Sequence, residues 1–203
     1  MNIYLIRHTK PLVEKGICYG QSDLDVVETF SEEAAVIRNV LPQEGIRKVY
    51  SSPLIRCRKL AEHLFPQPQP ISFHDDLMEL NCGEWEMQHW DKIPRETLLP
   101  WMEDFVQVRV PGGESYQDLH SRTVARYEAI ATLDLPAAIV AHGGVIRSIL
   151  CHVSNTPLKD SFQRFPLFYG CVAKVDTKSG EIEMLSNIEI VGEQHRPSEW
   201  VKK

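Results

Sequence analysis

Asn2-Ile3-Tyr4-Leu5-Ile6-Arg7-His8 carries four apolar side chains in an unbroken run and then stops in a guanidinium and an imidazole. A short apolar run without alternation fits a strand buried on both faces, the usual state of a strand in a parallel sheet covered by helices. The pattern returns late in the chain, where Ala137-Ala138-Ile139-Val140-Ala141 runs into His142-Gly143-Gly144. Between the two, residues 47–51 read as a second short strand. Ser52-Pro53 then reads as a helix start, with Ser52 as N-cap and Pro53 at the first helical position. Leu54, Cys57, Ala61 and Leu64 give that helix an apolar face, and Pro66, Pro68 and Pro70 end it.

The remaining segments continue the alternation. Residues 31–41 have helical spacing through Ala34, Ala35, Val36 and Val40, residues 71–74 form a third short strand, and residues 145–153 a helix. Two late strands, 171–176 and 181–186, flank a turn at Lys178-Ser179-Gly180. Residues 84–136 are expected to be mostly helical, a cap-like insertion carrying Trp85, Trp90 and Trp101; within it Ser115 and Asp118 fit a capping box that opens a helix to about Leu133. The expected fold is α/β, an open three-layer α/β/α sandwich with a mostly parallel central sheet and a helical insertion, residues 1–203 forming one domain. The tail after Gly192 is polar and is expected to be loose.

Composition narrows the classes. Hydrophobic residues make up 43% and charged residues 25%, as in ordinary globular proteins. The net charge of -6 argues against a bulk nucleic-acid binder, so an anionic substrate needs a local cluster of cations. No apolar stretch is long enough for a membrane span, and residues 3–6 are too short a run for a signal peptide. The five cysteines, Cys18, Cys57, Cys82, Cys151 and Cys171, are odd in number and form no C-x-x-C pair, which fits reduced buried thiols in a cytoplasmic protein. The expected partner is a small molecule rather than a nucleic acid or a membrane. The oligomeric state is left open, a homodimer included.

In open α/β sheets ligands bind beyond the carboxyl ends of the strands. Three strand ends carry unusual groups: Arg7 and His8; Ser51 and Ser52 followed by Arg56; and His142 with Gly143 and Gly144. Two imidazoles and two guanidiniums thus fall on one sheet edge. Guanidinium clamps phosphate bidentately, and glycines at a helix N-terminus let backbone N–H groups approach an anion. Any one of these residues alone reads as a satisfied polar group or a solvated charge; their convergence points to phosphate chemistry.

Five segments in order carry a resemblance: Leu5-Ile6-Arg7-His8-Thr9, residues 51–61 from Ser51 to Ala61, residues 77–86 from Leu77 to Glu86, residues 111–115 from Pro111 to Ser115, and residues 140–147 from Val140 to Arg147. Together they resemble the histidine phosphatase superfamily, with its phosphoglycerate-mutase-like fold, over about residues 2–175. The resemblance implies that His8 is the nucleophile, that Arg7 and Arg56 clamp the phosphate, that Glu79 is the general acid for the leaving oxygen, and that His142 contacts the phosphoryl oxygens. It implies substrate contacts from Gly143, Thr9, Glu14, Tyr19, Gly20 and Gln21, and no metal or other cofactor. A neutral imidazole is a competent nucleophile toward phosphorus, and flanking cations disfavour a proton on it. The chain departs from the family pattern where Thr9, Glu14 and Met87 replace a common Gly, Asn and Gly, and where Gln21-Ser22 precedes Asp23 without the usual arginine.

The run Cys18-Tyr19-Gly20-Gln21-Ser22-Asp23, with Arg7-His8-Thr9-Lys10-Pro11, resembles the α-ribazole phosphatases, members that remove a 5′-phosphate during cobalamin assembly. The aromatic residues Trp85, Trp90, Trp101 and Tyr116 offer walls for a base. The alternatives within the superfamily are a broad sugar or phosphoglycerate phosphatase and a phosphoglycerate mutase. Two other classes remain. Asp23-Leu24-Asp25-Val26-Val27 matches the nucleophile motif of Mg²⁺-dependent haloacid-dehalogenase-like phosphatases, but a turn rather than a strand precedes it. A binding module that reads a phosphorylated partner would keep the fold without turnover. His74-Asp75-Asp76 reads as an exposed acidic pair rather than a metal site.

Overall fold

The computed structural model describes residues 1–43 and 45–189. The chain runs β1 (Asn2–Arg7), α1 (Phe30–Val40), β2 (Lys48–Ser51), α2 (Ile55–Leu64), β3 (Ile71–Phe73), α3 (Arg95–Glu103), α4 (Tyr116–Ala131), β4 (Ala137–Ala141), α5 (Gly143–Ser154), α6 (Ser161–Arg164), β5 (Val172–Asp176) and β6 (Ile182–Ser186). Short 3₁₀ turns lie at Asp75–Leu77, Gly83–Trp85, Trp90–Lys92 and Leu158–Asp160. The tail after Gly192 lies outside the described residues.

The six strands form one sheet in the order β3-β2-β4-β1-β5-β6. The first four strands of that order are parallel and β5 and β6 are antiparallel. The apolar runs that mark β1 and β4 are its two central strands, paired Ile6 to Val140 and Arg7 to Ala141, so both end at the same level. Alternation along them feeds two cores. Ile3, Leu5, Ala137, Ile139 and Ala141 pack with Leu119, Ile146 and Ile149 from α4 and α5. Tyr4, Ile6, Ala138 and Val140 pack with Ala34, Ile37, Leu60 and Ala61 from α1 and α2. Helices thus cover both faces, giving the expected three layers.

The start of α2 differs from expectation. The helix begins at Ile55, with Leu54 in extended conformation at its N-cap, and Pro53 stands outside it. The Ser52 hydroxyl accepts from Leu54 N–H at 3.3 Å but is also 2.8 Å from His142 Nε2. The free N–H of Ile55 goes instead to Asp23 Oδ1 at 2.6 Å, a carboxylate from a distant loop. A carboxylate at a helix N-terminus is favoured by charge as well as by the bond.

Residues 84–136 divide into two pieces. The first, around α3, has its own core of Trp85, Trp90, Trp101, Leu98 and Val110, closed by Cys18 and Cys82. Trp90 and Trp101 are stacked with centroids 5.8 Å apart, and Trp85 stands edge-on to both. The second, α4, joins the sandwich by packing Leu119, Tyr127 and Ile130 into the sheet core. Its capping box is present: Ser115 Oγ accepts from Asp118 N–H, and Asp118 Oδ2 accepts from Ser115 N–H. The five cysteines are buried free thiols. Among the described residues no helix is long and apolar enough to cross a membrane.

Candidate active site

The flush ends of β1 and β4 place His8 beside His142, ring centroids 5.1 Å apart. The His8 backbone is fixed on both sides: its N–H donates to Ala141 O at 3.0 Å and its carbonyl accepts from Gly170 N–H at 3.1 Å. His8 Nδ1 lies 2.7 Å from the Thr9 carbonyl, which can only accept, so Nδ1 carries the proton and Nε2 keeps its lone pair. Burial, then the charges of Arg56 and Arg7, hold the His8 imidazole well below its ordinary value of 6.5. His142 is held low by burial, then by Arg56, His8 and Arg7. Both rings are therefore neutral at neutral pH.

His142 Nε2 meets Ser52 Oγ at 2.8 Å, with Cys57 Sγ 3.5 Å away. Burial pushes the Cys57 thiol up to about 12, so it is no rival nucleophile. The Arg7 Nη1 donates to Leu167 O at 2.7 Å, and its guanidinium lies 4.2 Å over the Tyr169 ring. Arg56 is fully buried and donates to Gly20 O at 2.6 Å and Ser22 O at 2.8 Å, with Tyr19 beneath it at 5.5 Å. The Tyr19 and Tyr169 hydroxyls meet at 2.6 Å, so the two arginine-bearing rings form a bridge near His8. Burial first, then Tyr169, pushes the Tyr19 hydroxyl well up, keeping it protonated.

Glu79 enters from the loop after the 75–77 turn. Its Oε2 accepts from Gly144 N–H at 3.0 Å and its Oε1 from Leu80 N–H at 2.9 Å. A Cβ at Gly144 would collide with Glu79 Oε1 and come within 2.9 Å of Leu119 Cδ2, so glycine lets the carboxylate sit against the start of α5. Gly143 lies against the Arg7 guanidinium. These groups open on a cavity of about 540 Å³ whose far walls are Trp85, Trp90, Trp101, Phe105, Tyr116 and Phe162.

Arg7, His8, Arg56, Glu79, His142 and Gly143 are thus brought together, and Tyr19 lines the cavity. Glu14 is not: it is exposed, and its carbonyl accepts a bond from Ile17 N–H within the loop. Thr9 is fully buried and reaches the site only through its carbonyl on His8 Nδ1. Gly20 and Gln21 do not line the cavity, because their N–H groups turn to the Glu86 carboxylate at 3.0 and 2.8 Å. Burial raises Glu86, but the Ser22 hydroxyl and the N–H groups of Gly20, Gln21 and Cys82 outweigh it and hold the carboxyl low. Met87, which stands where the family pattern was expected to have glycine, has a φ of 62°, in the left-handed region that favours glycine. Of the alternative aspartates, Asp23 caps α2 and Asp25 pairs with Lys59 at 2.6 Å. Among the described residues no three His, Cys, Asp or Glu side chains are grouped to hold a metal ion.

Several residues around the site escaped the sequence reading. Ser52, expected as a helix cap, instead meets His142, and Glu86 holds the Gly20–Ser22 backbone. Arg122 donates to the carbonyls of Asp76, Met78 and Glu79 and forms a two-bond ion pair with Glu114. Arg147 stands four residues after Gly143, one helical turn along α5, a spacing that could have marked it. Nothing in the sequence marked Tyr169.

The family described as the histidine phosphatase superfamily (branch 1) matches residues 3–188. A putative phosphoserine phosphatase 2 of Hydrogenobacter thermophilus is 26% identical over 164 residues, covering 78% of this chain and 81% of its own. A probable phosphoglycerate mutase GpmB of Escherichia coli is 30% identical over 168 residues, covering 77% and 76%. A solved structure of a putative alpha-ribazole-5'-P phosphatase from Escherichia coli shares the fold, with a TM-score of 0.82 and 19% identity, over 97% of each chain. The buried histidine pair between two arginines and this match over nearly the whole chain agree: the chain belongs to the histidine phosphatase superfamily.

Proposed function

We propose that the chain hydrolyses a small phosphomonoester through a phosphohistidine on His8. The observation that carries this reading is the neutral His8 ring, pinned by Thr9 O at Nδ1 and set beside His142 between two guanidiniums. His8 Nε2 attacks phosphorus, the P–N bond forms and the P–O bond to the alcohol breaks. Arg7, Arg56 and His142 hold the equatorial oxygens, where the transition state carries its charge. Glu79, which lines the cavity, gives its proton to the leaving oxygen. In the second step Glu79 takes a proton from water as the water oxygen attacks phosphorus, the P–N bond breaks and phosphate leaves. Rapid quench with labelled substrate should trap an acid-labile, base-stable phosphoenzyme. Label retained in His8→Ala would overturn the assignment.

More finely, we propose α-ribazole 5′-phosphate as the substrate. The support is the aromatic cavity beyond His8, sized for a flat base, together with the Cys18-Tyr19-Gly20 segment. A net charge of -6 disfavours a nucleic-acid substrate, and the five free thiols suit the cytoplasm. The 30% identical relative named a probable phosphoglycerate mutase favours a second reading, action on phosphoglycerate. Comparing kcat/KM for α-ribazole 5′-phosphate and 3-phosphoglycerate decides between them.

A further inference from the structure

Arg147 has no part in the phosphoryl chemistry, yet it lies in the wall of the same cavity. It is only 4% exposed. Its Nε donates to Phe165 O at 3.1 Å and its Nη1 to Gly143 O at 3.3 Å, and its guanidinium lies 4.2 Å over the Phe162 ring. Among the described residues it forms no ion pair, and its Nη2 has no protein acceptor. Arg7 and Arg56, by contrast, lie at the His8 end of the site. Arg147 instead stands four residues after Gly143 along α5, and its guanidinium lies among aromatic walls of the cavity.

A guanidinium held mostly out of water without a counter-charge is costly. Two backbone carbonyls and a ring face orient the group but leave a donor edge. The cost is recovered when a ligand brings an oxygen to that edge. We propose that Arg147 is a specificity residue, binding an oxygen acceptor on the alcohol part of the substrate. The acceptor is a sugar hydroxyl or a carboxylate; both supply the same lone pairs. The aromatic walls accept the flat or apolar remainder of the alcohol. The phosphate is gripped elsewhere, so Arg147 sorts substrates by their leaving groups without touching the transferred phosphoryl group.

This rests on the phosphatase reading, and the test separates the two. Wild type and Arg147→Met, which keeps the volume and loses the donors, are compared on phenyl phosphate, ribose 5-phosphate and 3-phosphoglycerate. Phenyl phosphate has no such acceptor. The expected result is a kcat/KM loss of about 10- to 100-fold on one or both oxygen-bearing esters, from a lost hydrogen bond to a charged group, with phenyl phosphate within about twofold. Loss on ribose 5-phosphate assigns a hydroxyl, and loss on 3-phosphoglycerate a carboxylate. Equal losses on all three would make Arg147 a mere tether for the Phe165 segment and overturn the proposal, as would no loss on any. Failure of wild type to turn over all three esters would instead sink the phosphatase reading. Circular dichroism and a melting curve confirm that the variant folds, and Arg147→Lys, keeping a donor, should recover part of the discrimination.

Discussion

Arg122 Nη2 donates to the backbone carbonyl of Glu79 at 2.9 Å, and through the same guanidinium it grips Asp76 O, Met78 O and the Glu114 carboxylate. Glu114 Oε2 also accepts from Asn81 N–H. The loop carrying the proposed acid is therefore fixed from behind by one arginine, while its carboxylate is fixed in front by Gly144 N–H.

Replacing Arg122 by Lys keeps the charge but loses the planar fork that serves three carbonyls at once. Glu79 then loses its placement, and an acid matters most for poor leaving groups. Alkyl phosphates should slow by about 100-fold, the low end of general-acid contributions, while nitrophenyl phosphate is spared. Glu79→Gln should show the same split more strongly. Uniform losses across leaving groups would assign both residues to structure or binding.

Gly144→Ala inserts a methyl where Glu79 Oε1 and Leu119 Cδ2 already sit. The carboxylate must shift, and a displacement near 1 Å costs about 100-fold in rate. The variant should fold, since the collision is with side-chain ends, and its kcat for alkyl phosphates should fall far more than its melting temperature. Near-wild-type kcat would show that Glu79 is not the proton donor.

His8 and His142 are both held below 6.5 in the folded chain, as are the less buried His74 and His120. An unfolded chain protonates these rings as the pH falls through about 6.5, while the native state resists. The unfolded state thus binds more protons, and stability falls as pH drops below that value. Each such ring contributes at most about 1.4 kcal/mol per pH unit. Urea midpoints between about pH 5.5 and 7.5 should fall toward acid, and His8→Asn should flatten the slope by one proton's worth. An unchanged slope would mean that His8 is protonated in the native state.

Activity should survive excess EDTA. Arg7 and Arg56 supply fixed positive charge for the proposed phosphate, while Asp23 is bound to Ile55 N–H and Asp25 to Lys59. Asp25→Asn should keep near-wild-type turnover, costing at most the small free energy of an exposed ion pair. Loss on chelation with recovery by Mg²⁺ would restore the dehalogenase-like alternative.

The two central strands were legible because burial on both faces leaves an unbroken apolar signature, as in Ile3 to Ile6 and Ala137 to Ala141. The histidines were legible because each of these two runs ends at one, His8 directly after Arg7 and His142 directly after Ala141. What escaped depends on partners far away in sequence. The Ser52 hydroxyl could serve as a local cap, but His142, 90 residues later, also engages it, and Asp23 supplies the bond to Ile55 N–H. The Gly20 and Gln21 backbone was expected to face substrate, and Glu86, more than 60 residues away, draws it off. Glu14 was placed by analogy of position, yet its loop carries it to the surface. Arg147 lay in plain view within a quoted segment, but its buried, unpaired state appears only once Phe165 and Phe162 fold against it.

The pairing of β1 with β4 at the centre of the sheet has a consequence for synthesis of the chain. The proposed nucleophile, His8, is made early, yet the Ala141 carbonyl that fixes its backbone is made more than a hundred residues later. A ribosome-bound fragment that ends before Ala137 holds His8, Arg7 and Arg56 but lacks both strands that flank β1. Because domains fold as units once their long-range pairings are available, activity is expected late and in one step, once β4, α5 and the chain through β5 have left the exit tunnel. Nascent chains stalled on either side of that point should differ by all of the activity rather than by a fraction of it.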